Sequence, residues 1–109
     1  SLGAVAKAGT TNLNDVYTYA QPVTAKGMVF MDTPGYDIVS ITGMIAGGAN
    51  MVCFTTGRGT VVGFKPVPTL KLASNTVMYN HLKEDIDLNC GPILDQGISV
   101  KKMGEELFK

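Results

Sequence analysis

Two short apolar runs, MVFMD at residues 28–32 and MVCFT at residues 51–55, enclose a segment with helical spacing. Isoleucines recur at intervals of three and four across residues 37–46, which predicts a helix there. A continuous apolar run of this length is typical of a strand buried on both faces. Strand, helix and strand in such close succession predict a compact βαβ unit, with parallel strands joined by a right-handed crossover.

The rest of the chain fits the same class of fold. With 109 residues it is long enough for one small domain, so we expect a single α/β domain over residues 1–109. We predict a small three-layer or two-layer Rossmann-like domain with a mainly parallel sheet. The other predicted elements are a connecting segment (1–11), a short helix (12–20), a third strand nearer an edge of the sheet (69–74), and two further helices (76–82 and, capped by Ser99, 100–108).

Charge and hydropathy exclude several classes of protein. Nine basic residues balance nine acidic ones, and a chain without a basic surplus is not a general binder of nucleic acid or anionic membranes. No apolar run approaches the roughly 20 residues of a membrane helix. Two cysteines without metal-ligand spacing indicate a reducing, cytoplasmic setting, and Cys53 is predicted to be a buried thiol because it lies in an apolar run.

Polar residues follow the predicted strands. Asp32 and Thr33 come after the first apolar run, Thr55–Gly59 after the second, and Asn75 after the third strand. Because ligands bind beyond the carboxyl ends of parallel strands, we expect these residues to share one rim of the sheet.

The loop around Arg58, the only arginine of the chain, is suited to a small anion. Gly57 and Gly59 allow a tight turn whose backbone N–H groups can form an anion-binding concavity. The guanidinium adds a two-pronged donor for a carboxylate or phosphate, and the Thr55 and Thr56 hydroxyls add further donors. The alternative is a tight turn with a solvated arginine.

The acids and the single histidine leave alternatives open. Asp32 is a candidate base, metal ligand or hydroxyl acceptor, or else a carboxylate that satisfies turn N–H groups. Asp85 and Asp87 are weak candidates for a metal site, and a solvated surface pair is the simpler interpretation. His81 is interpreted as a surface or packing residue in preference to a catalytic one.

The blocks SLGAVAKAGT, GMVFMDTPGYD, TGMIAGGAN, FTTGRGT, PTLKLASNT and DIDLNCGPIL follow one another along nearly the whole chain. In this order they resemble the C-terminal region of the altronate and D-galactarate dehydratases. The sequence starts without an initiator methionine, and we expect it to be a piece of a longer enzyme.

The resemblance implies a hydro-lyase of sugar-acid catabolism that converts altronate to a 2-keto-3-deoxy acid and water, or acts on galactarate instead. It implies a divalent metal, Fe2+, in the full-length enzyme. Arg58, with Gly57, Gly59, Thr55 and Thr56, would hold the substrate, while Asp32, Thr33 and Asn75 would bind its hydroxyls or position the metal. The base and most metal ligands are expected outside this chain, so the isolated chain is expected to be inactive.

Two other classes of function remain open on the sequence. One is a non-catalytic domain that senses an anionic metabolite through the same loop. The other is a structural or oligomerising domain in which Arg58 pairs with a protein acid. Expected partners are a sugar-acid substrate and the rest of the parent chain, with no nucleic acid and no membrane, and a homo-oligomer is possible.

Overall fold

The computed structural model describes residues 2–109 as an alternation of short strands and helices. In the described residues, no helix is long and apolar enough to cross a bilayer. In chain order the elements are α1 (Leu2–Ala6), β1 (Leu13–Tyr17), β2 (Met28–Met31), α2 (Asp37–Ala46), β3 (Val52–Thr56), β4 (Thr69–Ala73), α3 (Thr76–His81), β5 (Leu88–Asn89), α4 (Pro92–Asp95) and α5 (Val100–Leu107).

Contacts along the chain group these elements into two compact units, unit 1 (Ser1–Ala49) and unit 2 (Asn50–Lys109). Within the described residues β1 pairs with β2, while β3, β4 and β5 form a second sheet centred on β4. All of these strand pairs are parallel. The predicted α/β class with mainly parallel strands is therefore confirmed. The Rossmann-like layering and the single domain over 1–109 stay predictions.

Two tyrosines hold unit 1 together across its loops. Tyr17, at the end of β1, is 4 % exposed, and its hydroxyl accepts a hydrogen bond from the Ala25 N–H at 2.9 Å. The Tyr19 ring lies against Gly43 of α2, where a Cβ would collide with it, and the Tyr19 hydroxyl donates to the Val39 carbonyl at 2.7 Å. Tyr17 thus holds the connection between β1 and β2, and Tyr19 fastens the segment after β1 to α2.

Unit 2 has a small apolar core formed by its sheet and the helix that follows β4. Ala73 of β4, Met78 of α3 and Ile86 are buried together, and Tyr79 and Leu82 pack against them. Strand β4 runs beside β3 over its whole length and beside β5 at its end. Since β4 and β5 are parallel neighbours connected through α3, residues 69–89 form the βαβ unit of this sheet.

The βαβ unit predicted from the two apolar runs is wrong. The expected elements exist, at Met28–Met31, Asp37–Ala46 and Val52–Thr56, but β2 pairs with β1 and β3 pairs with β4. The periodicity of apolar residues can identify a strand from the sequence of that strand alone. Which strand pairs with it depends on contacts with a segment that is distant in the sequence. The predicted shared rim of Asp32 and Arg58 depended on that pairing and fails with it.

The segment predicted as a helix over 12–20 forms strand β1 instead. Its apolar residues do recur at helical spacing, but Asn12, Asn14 and Asp15 are poor helix formers. In the structure Val16 and Tyr17 are register partners of Phe30 and Met31. Pairing with β2 supplies the backbone hydrogen bonds that a helix would have made locally.

Two smaller expectations also fail. Residues 2–6 form α1 inside the predicted connecting segment. Strand β4 is central in its sheet, not near an edge, because β5 pairs with its far side. Strand β5 has only two residues, too few to produce a periodic pattern. By contrast, α3 and α5 form where predicted, and the Ser99 hydroxyl caps α5 by accepting from the Lys102 N–H at 3.2 Å.

Cys53, predicted to be buried, is exposed. Burial alternates along β3, so that Cys53 and Thr55 lie on its exposed face while Val52, Phe54 and Thr56 are partly covered. The apolar run is continuous in sequence, but this strand is covered on one face only. The second thiol, Cys90, is partly covered, and burial raises its pKa.

Alkylation of the native protein with iodoacetamide at mildly alkaline pH should therefore modify Cys53 several-fold faster than Cys90. The thiolate is the reactive form, and the raised pKa of Cys90 lowers its thiolate fraction while partial burial restricts access. Peptide mass spectrometry over time measures both rates. The two rates should converge in urea, and faster labelling of Cys90 in the native state would contradict the structure.

Candidate functional site

The carboxyl ends of β3 and β4 lie side by side at one rim of the unit 2 sheet. Thr56 and Ala73 are register partners, and the Ser74 N–H donates to the Thr56 carbonyl at 2.9 Å. A Cβ on Gly57 would lie 3.3 Å from the Ser74 hydroxyl oxygen. The predicted neighbourhood of Thr55–Gly59 and Asn75 is therefore present within unit 2.

The side-chain amide of Asn75 forms hydrogen bonds at this rim through both its nitrogen and its oxygen. Its Nδ2 donates to the Gly57 carbonyl at 3.0 Å, and its Oδ1 accepts from the Met78 N–H at 2.9 Å. The second bond caps α3, since Asn75 is the N-cap residue of that helix. One side chain thus fixes the Arg58 loop and the start of α3 to each other.

Gly59 is required by the shape of the loop. Its φ of +100° is a left-handed conformation, and a Cβ there would collide with Cδ1 of Leu82. Its N–H donates to the Thr56 hydroxyl at 3.0 Å, which closes the turn around residue 58. This N–H is thus engaged inside the loop, and the Arg58 side chain is presented at its tip.

Arg58 lies on an open depression in the surface of unit 2. Within the residues that the structure describes, the single ion pair is Lys109 with Glu106, so no carboxylate neutralises Arg58. The guanidinium is exposed and its positive charge is available to an anion. The depression is lined by Gly57, Arg58, Asn75, Val77, Met78, Asn80, His81 and Leu82.

His81 shares this depression, although the sequence pattern did not favour it as a functional residue. It lies at the end of α3, which starts directly after β4 and beside the Arg58 loop. The sequence signal that could have identified His81 is its short distance along the chain from Asn75. A helix of only six residues that begins at the rim of the sheet keeps all of its residues near that rim. Two side chains able to donate to an anion, Arg58 and His81, are therefore gathered on one surface.

A third loop, unforeseen from the sequence, closes the same rim behind Asn75. The Asn89 Nδ2, at the end of β5, donates to the Thr76 hydroxyl at 3.1 Å, and its Oδ1 accepts from the Gly91 N–H at 2.9 Å. A Cβ on Gly91 would collide with the backbone and hydroxyl of Thr76. The Asn-Cys-Gly turn is therefore packed closely against the start of α3 and supports it.

Asp32 and Thr33 belong to the other sheet. They follow β2 in unit 1, where the Asp32 N–H donates to the Tyr17 carbonyl at 2.9 Å. The Thr33 and Ser40 hydroxyl oxygens are 2.7 Å apart. Because β2 and β3 are not neighbours, the two residues do not share a sheet edge with Arg58, and their roles in binding substrate hydroxyls stay predictions.

Of the two weak metal candidates, Asp85 lies in the turn after α3, where its N–H donates to the Leu82 carbonyl at 3.0 Å, and Asp87 lies beside Lys71 of β4. The Asp87 Oδ2 accepts from the Lys71 N–H at 2.7 Å, and the Asp87 N–H donates back to the Lys71 carbonyl at 3.0 Å. This carboxylate therefore extends the strand pairing. Across residues 2–109, no three His, Cys, Asp or Glu side chains are grouped as ligands of one metal ion, and the described residues do not fit a bound Fe2+ by themselves.

Comparison with known proteins relates the chain to a family. The model of the C-terminal region of D-galactarate/altronate dehydratases matches residues 1–109. The galactarate dehydratase (L-threo-forming) of Escherichia coli is 34 % identical over 108 residues, and the altronate dehydratase of Bacillus subtilis 38 % over 98 residues. The beta subunit of (2R)-sulfolactate sulfo-lyase from Chromohalobacter salexigens is 28 % identical over 110 residues.

The matched regions are small parts of those relatives. They cover 99 %, 90 % and 100 % of the present chain, but 21 %, 20 % and 28 % of the respective relatives. The chain thus spans about a fifth of the length of the two dehydratases. Their activities belong to much longer polypeptides.

Replacing Gly59 with alanine should destabilise unit 2 by about 1–3 kcal/mol, because the residue would be strained at φ +100° and its Cβ would displace Leu82. Urea unfolding followed by circular dichroism measures the loss. Gly63→Ala is the matched control: it lies in the same connection, has no positive φ and meets open space, so its effect should stay within about 0.5 kcal/mol. Equal stability of the two variants would contradict the loop conformation.

Proposed function

Because the chain belongs to the D-galactarate/altronate dehydratase family, as its C-terminal region, we propose that it is the C-terminal part of a hydro-lyase that acts on a sugar acid. The proposed reaction converts altronate to a 2-keto-3-deoxy acid and water. The choice of altronate over galactarate follows the sequence-based expectation. Relatives of both kinds are similarly identical to the chain, at 38 % and 34 %, and an assay with both acids tests the choice directly.

One observation carries the proposed role of this chain. Arg58 is exposed at the tip of a closed loop, has no carboxylate partner in the described residues, and shares a depression with His81. An exposed guanidinium without a carboxylate partner is suited to a ligand carboxylate, which it can bind through two parallel hydrogen bonds. We assign the carboxylate of the sugar acid to Arg58.

The names of the relatives support this assignment. Galactarate, altronate and (2R)-sulfolactate are all acids with a hydroxyl group on the carbon next to a carboxylate. They differ at the following carbon, which bears a hydroxyl group in the sugar acids and a sulfonate in sulfolactate. The 2-hydroxycarboxylate end is common to these three acids, and Arg58 matches its charge.

The chemistry of dehydration gives this contact a catalytic effect. Loss of the proton next to the carboxylate places additional negative charge on the carboxylate oxygens. A cationic donor already fixed beside those oxygens stabilises that charge more than it stabilises the ground state. Arg58 would act in this way, and His81 can exchange a proton or a hydrogen bond with a substrate hydroxyl.

The remaining parts of the site are proposed to lie elsewhere in the enzyme. The base and the ligands of the divalent metal, expected as Fe2+, would come from the longer polypeptide, since the described residues do not form a metal site. When bound, such a metal supplies Lewis-acid stabilisation of the substrate oxygens. A cytoplasmic role in sugar-acid catabolism remains part of the proposal.

In the full-length enzyme that carries this region, Arg58→Ala should lower kcat/KM by about 10²–10³-fold, the usual effect of removing one fixed donor to a developing anion. Arg58→Lys should recover only part of the loss because it keeps the charge without the two-pronged geometry. Lys65→Ala, an exposed cation in the same connection, serves as the control and should leave turnover unchanged. Unchanged turnover in Arg58→Ala with a lost metabolite response would instead identify a sensor domain.

The 109-residue chain alone should produce no 2-keto-3-deoxy acid from altronate or galactarate, with or without Fe2+. The physical reason is that it lacks a group of metal ligands in its described residues and has no assigned base. A colorimetric assay for 2-keto acids measures this, with a full-length dehydratase as the positive control. Clear turnover would show that the catalytic site is complete within this chain.

A further inference from the structure

The two units differ in how many of their hydrophobic side chains they bury. Among the described residues, unit 1 buries only two hydrophobic side chains, Tyr17 and Ile41, whereas unit 2 buries six. Of the seventeen large hydrophobic residues that the structure describes as exposed, eleven lie in unit 1. Unit 1 is the shorter of the two units, yet it contains most of these exposed hydrophobic residues. It therefore does not bury a hydrophobic core of its own.

The exposed residues of unit 1 include a continuous surface. Val23, Phe30 and Met44 line an open groove of about 430 Å³ whose other walls are Val29, Met31 and the backbone of 47–49. Phe30 is 53 % exposed. Val16 is 57 % exposed and is the register partner of Phe30, so the two side chains are neighbours on the same face of the strand pair. We call Val16, Val23, Phe30 and Met44 the apolar face.

The strand pair that carries this face is incomplete as a sheet. Parallel strands occur almost only in sheets that are covered on both faces, and a pair of strands alone is barely stable in water. Within the described residues β1 and β2 have no further strand neighbour, so each keeps one open edge. The strand pair therefore needs additional cover, or additional strands, from another polypeptide segment.

The distribution of charged residues in unit 1 indicates what kind of partner fits the apolar face. Unit 1 has five charged side chains, and none of them belongs to the apolar face or lines the groove: Lys7, Asp15, Lys26, Asp32 and Asp37. Recognition at this face is consequently by apolar contact and strand pairing, with little electrostatic steering. The fitting partner presents an apolar surface of its own.

We infer that the apolar face of unit 1 is an intramolecular interface that docks the remaining, larger part of a dehydratase polypeptide. The argument for this occupant is the length of the relatives: the matched region accounts for 20 % and 21 % of the two dehydratases, so about four times as much chain accompanies it in each. The inference rests on the family and does not depend on which sugar acid is the substrate.

Hydrogen–deuterium exchange of the 109-residue chain tests whether unit 1 lacks cover. At a concentration where sedimentation shows a monomer, amides of β1 and β2 should exchange at least about 100-fold faster than those of β4, which lies in a covered sheet. Equal protection of β1, β2 and β4 in the monomer would overturn the inference, because the chain would then cover its own apolar face. A stable dimer with protected β1 and β2 would also overturn it, in favour of a second copy.

Co-expression tests the occupant. The probe is a tagged altronate dehydratase of Bacillus subtilis from which the matching 98-residue region has been removed. It should capture the 109-residue chain, and β1 and β2 should become protected in the complex. Phe30→Asp and Val16→Asp should each lower capture at least tenfold, while Leu94→Asp, an equally drastic change at an exposed residue of unit 2, should not.

For each variant, circular dichroism must match the wild type, and so must exchange of α2 for Phe30→Asp and Val16→Asp and exchange of β4 for Leu94→Asp, so that a lost fold is not mistaken for a lost contact. The tagged remainder of the dehydratase must itself show the circular dichroism of a folded protein. Given that, absence of capture, or capture that Phe30→Asp and Val16→Asp leave unchanged, would overturn the assigned occupant. These readouts measure association only. They stay interpretable even when Arg58 proves to have no role in turnover.

Discussion

The candidate site depends on the parallel pairing of β3 with β4. Parallel strands end at the same rim, so this pairing places the Arg58 loop beside Asn75. The Asn75 amide then ties the loop to the start of α3, and the helix brings His81 to the same depression. A single backbone pairing and one amide side chain thereby convert residues about 20 positions apart into one rigid surface.

The rigidity of that surface matters for the proposed chemistry. A guanidinium stabilises developing negative charge best when it is held in place before the reaction and needs no reorganisation. The left-handed Gly59, its N–H bond to the Thr56 hydroxyl and the close contact with Leu82 restrict the loop that carries Arg58. The exposed charge of Arg58 extends from this restricted loop and has no carboxylate partner among the described residues.

Several elements were predictable because their determinants are local. The helix at Asp37–Ala46 follows from isoleucine spacing, the cap of α5 from Ser99, and the turn at 57–59 from its glycines. Strand partners were not predictable in this way. Residues 12–20 have helical spacing yet form a strand, and β2 and β3 look like neighbours yet belong to different sheets, because pairing is a contact between distant segments.

The sequence by itself determined the α/β class, the family resemblance and the arginine between two glycines, since each of these depends only on the order of residues along the chain. The tertiary structure alone decided the strand partners: it brought Arg58, Asn75 and His81 to one depression, placed Asp32 and Thr33 after a strand of the other sheet, and left Cys53 and Phe30 exposed. The physical reason is that burial and strand pairing are set by what lies across space, which no local pattern of side chains specifies.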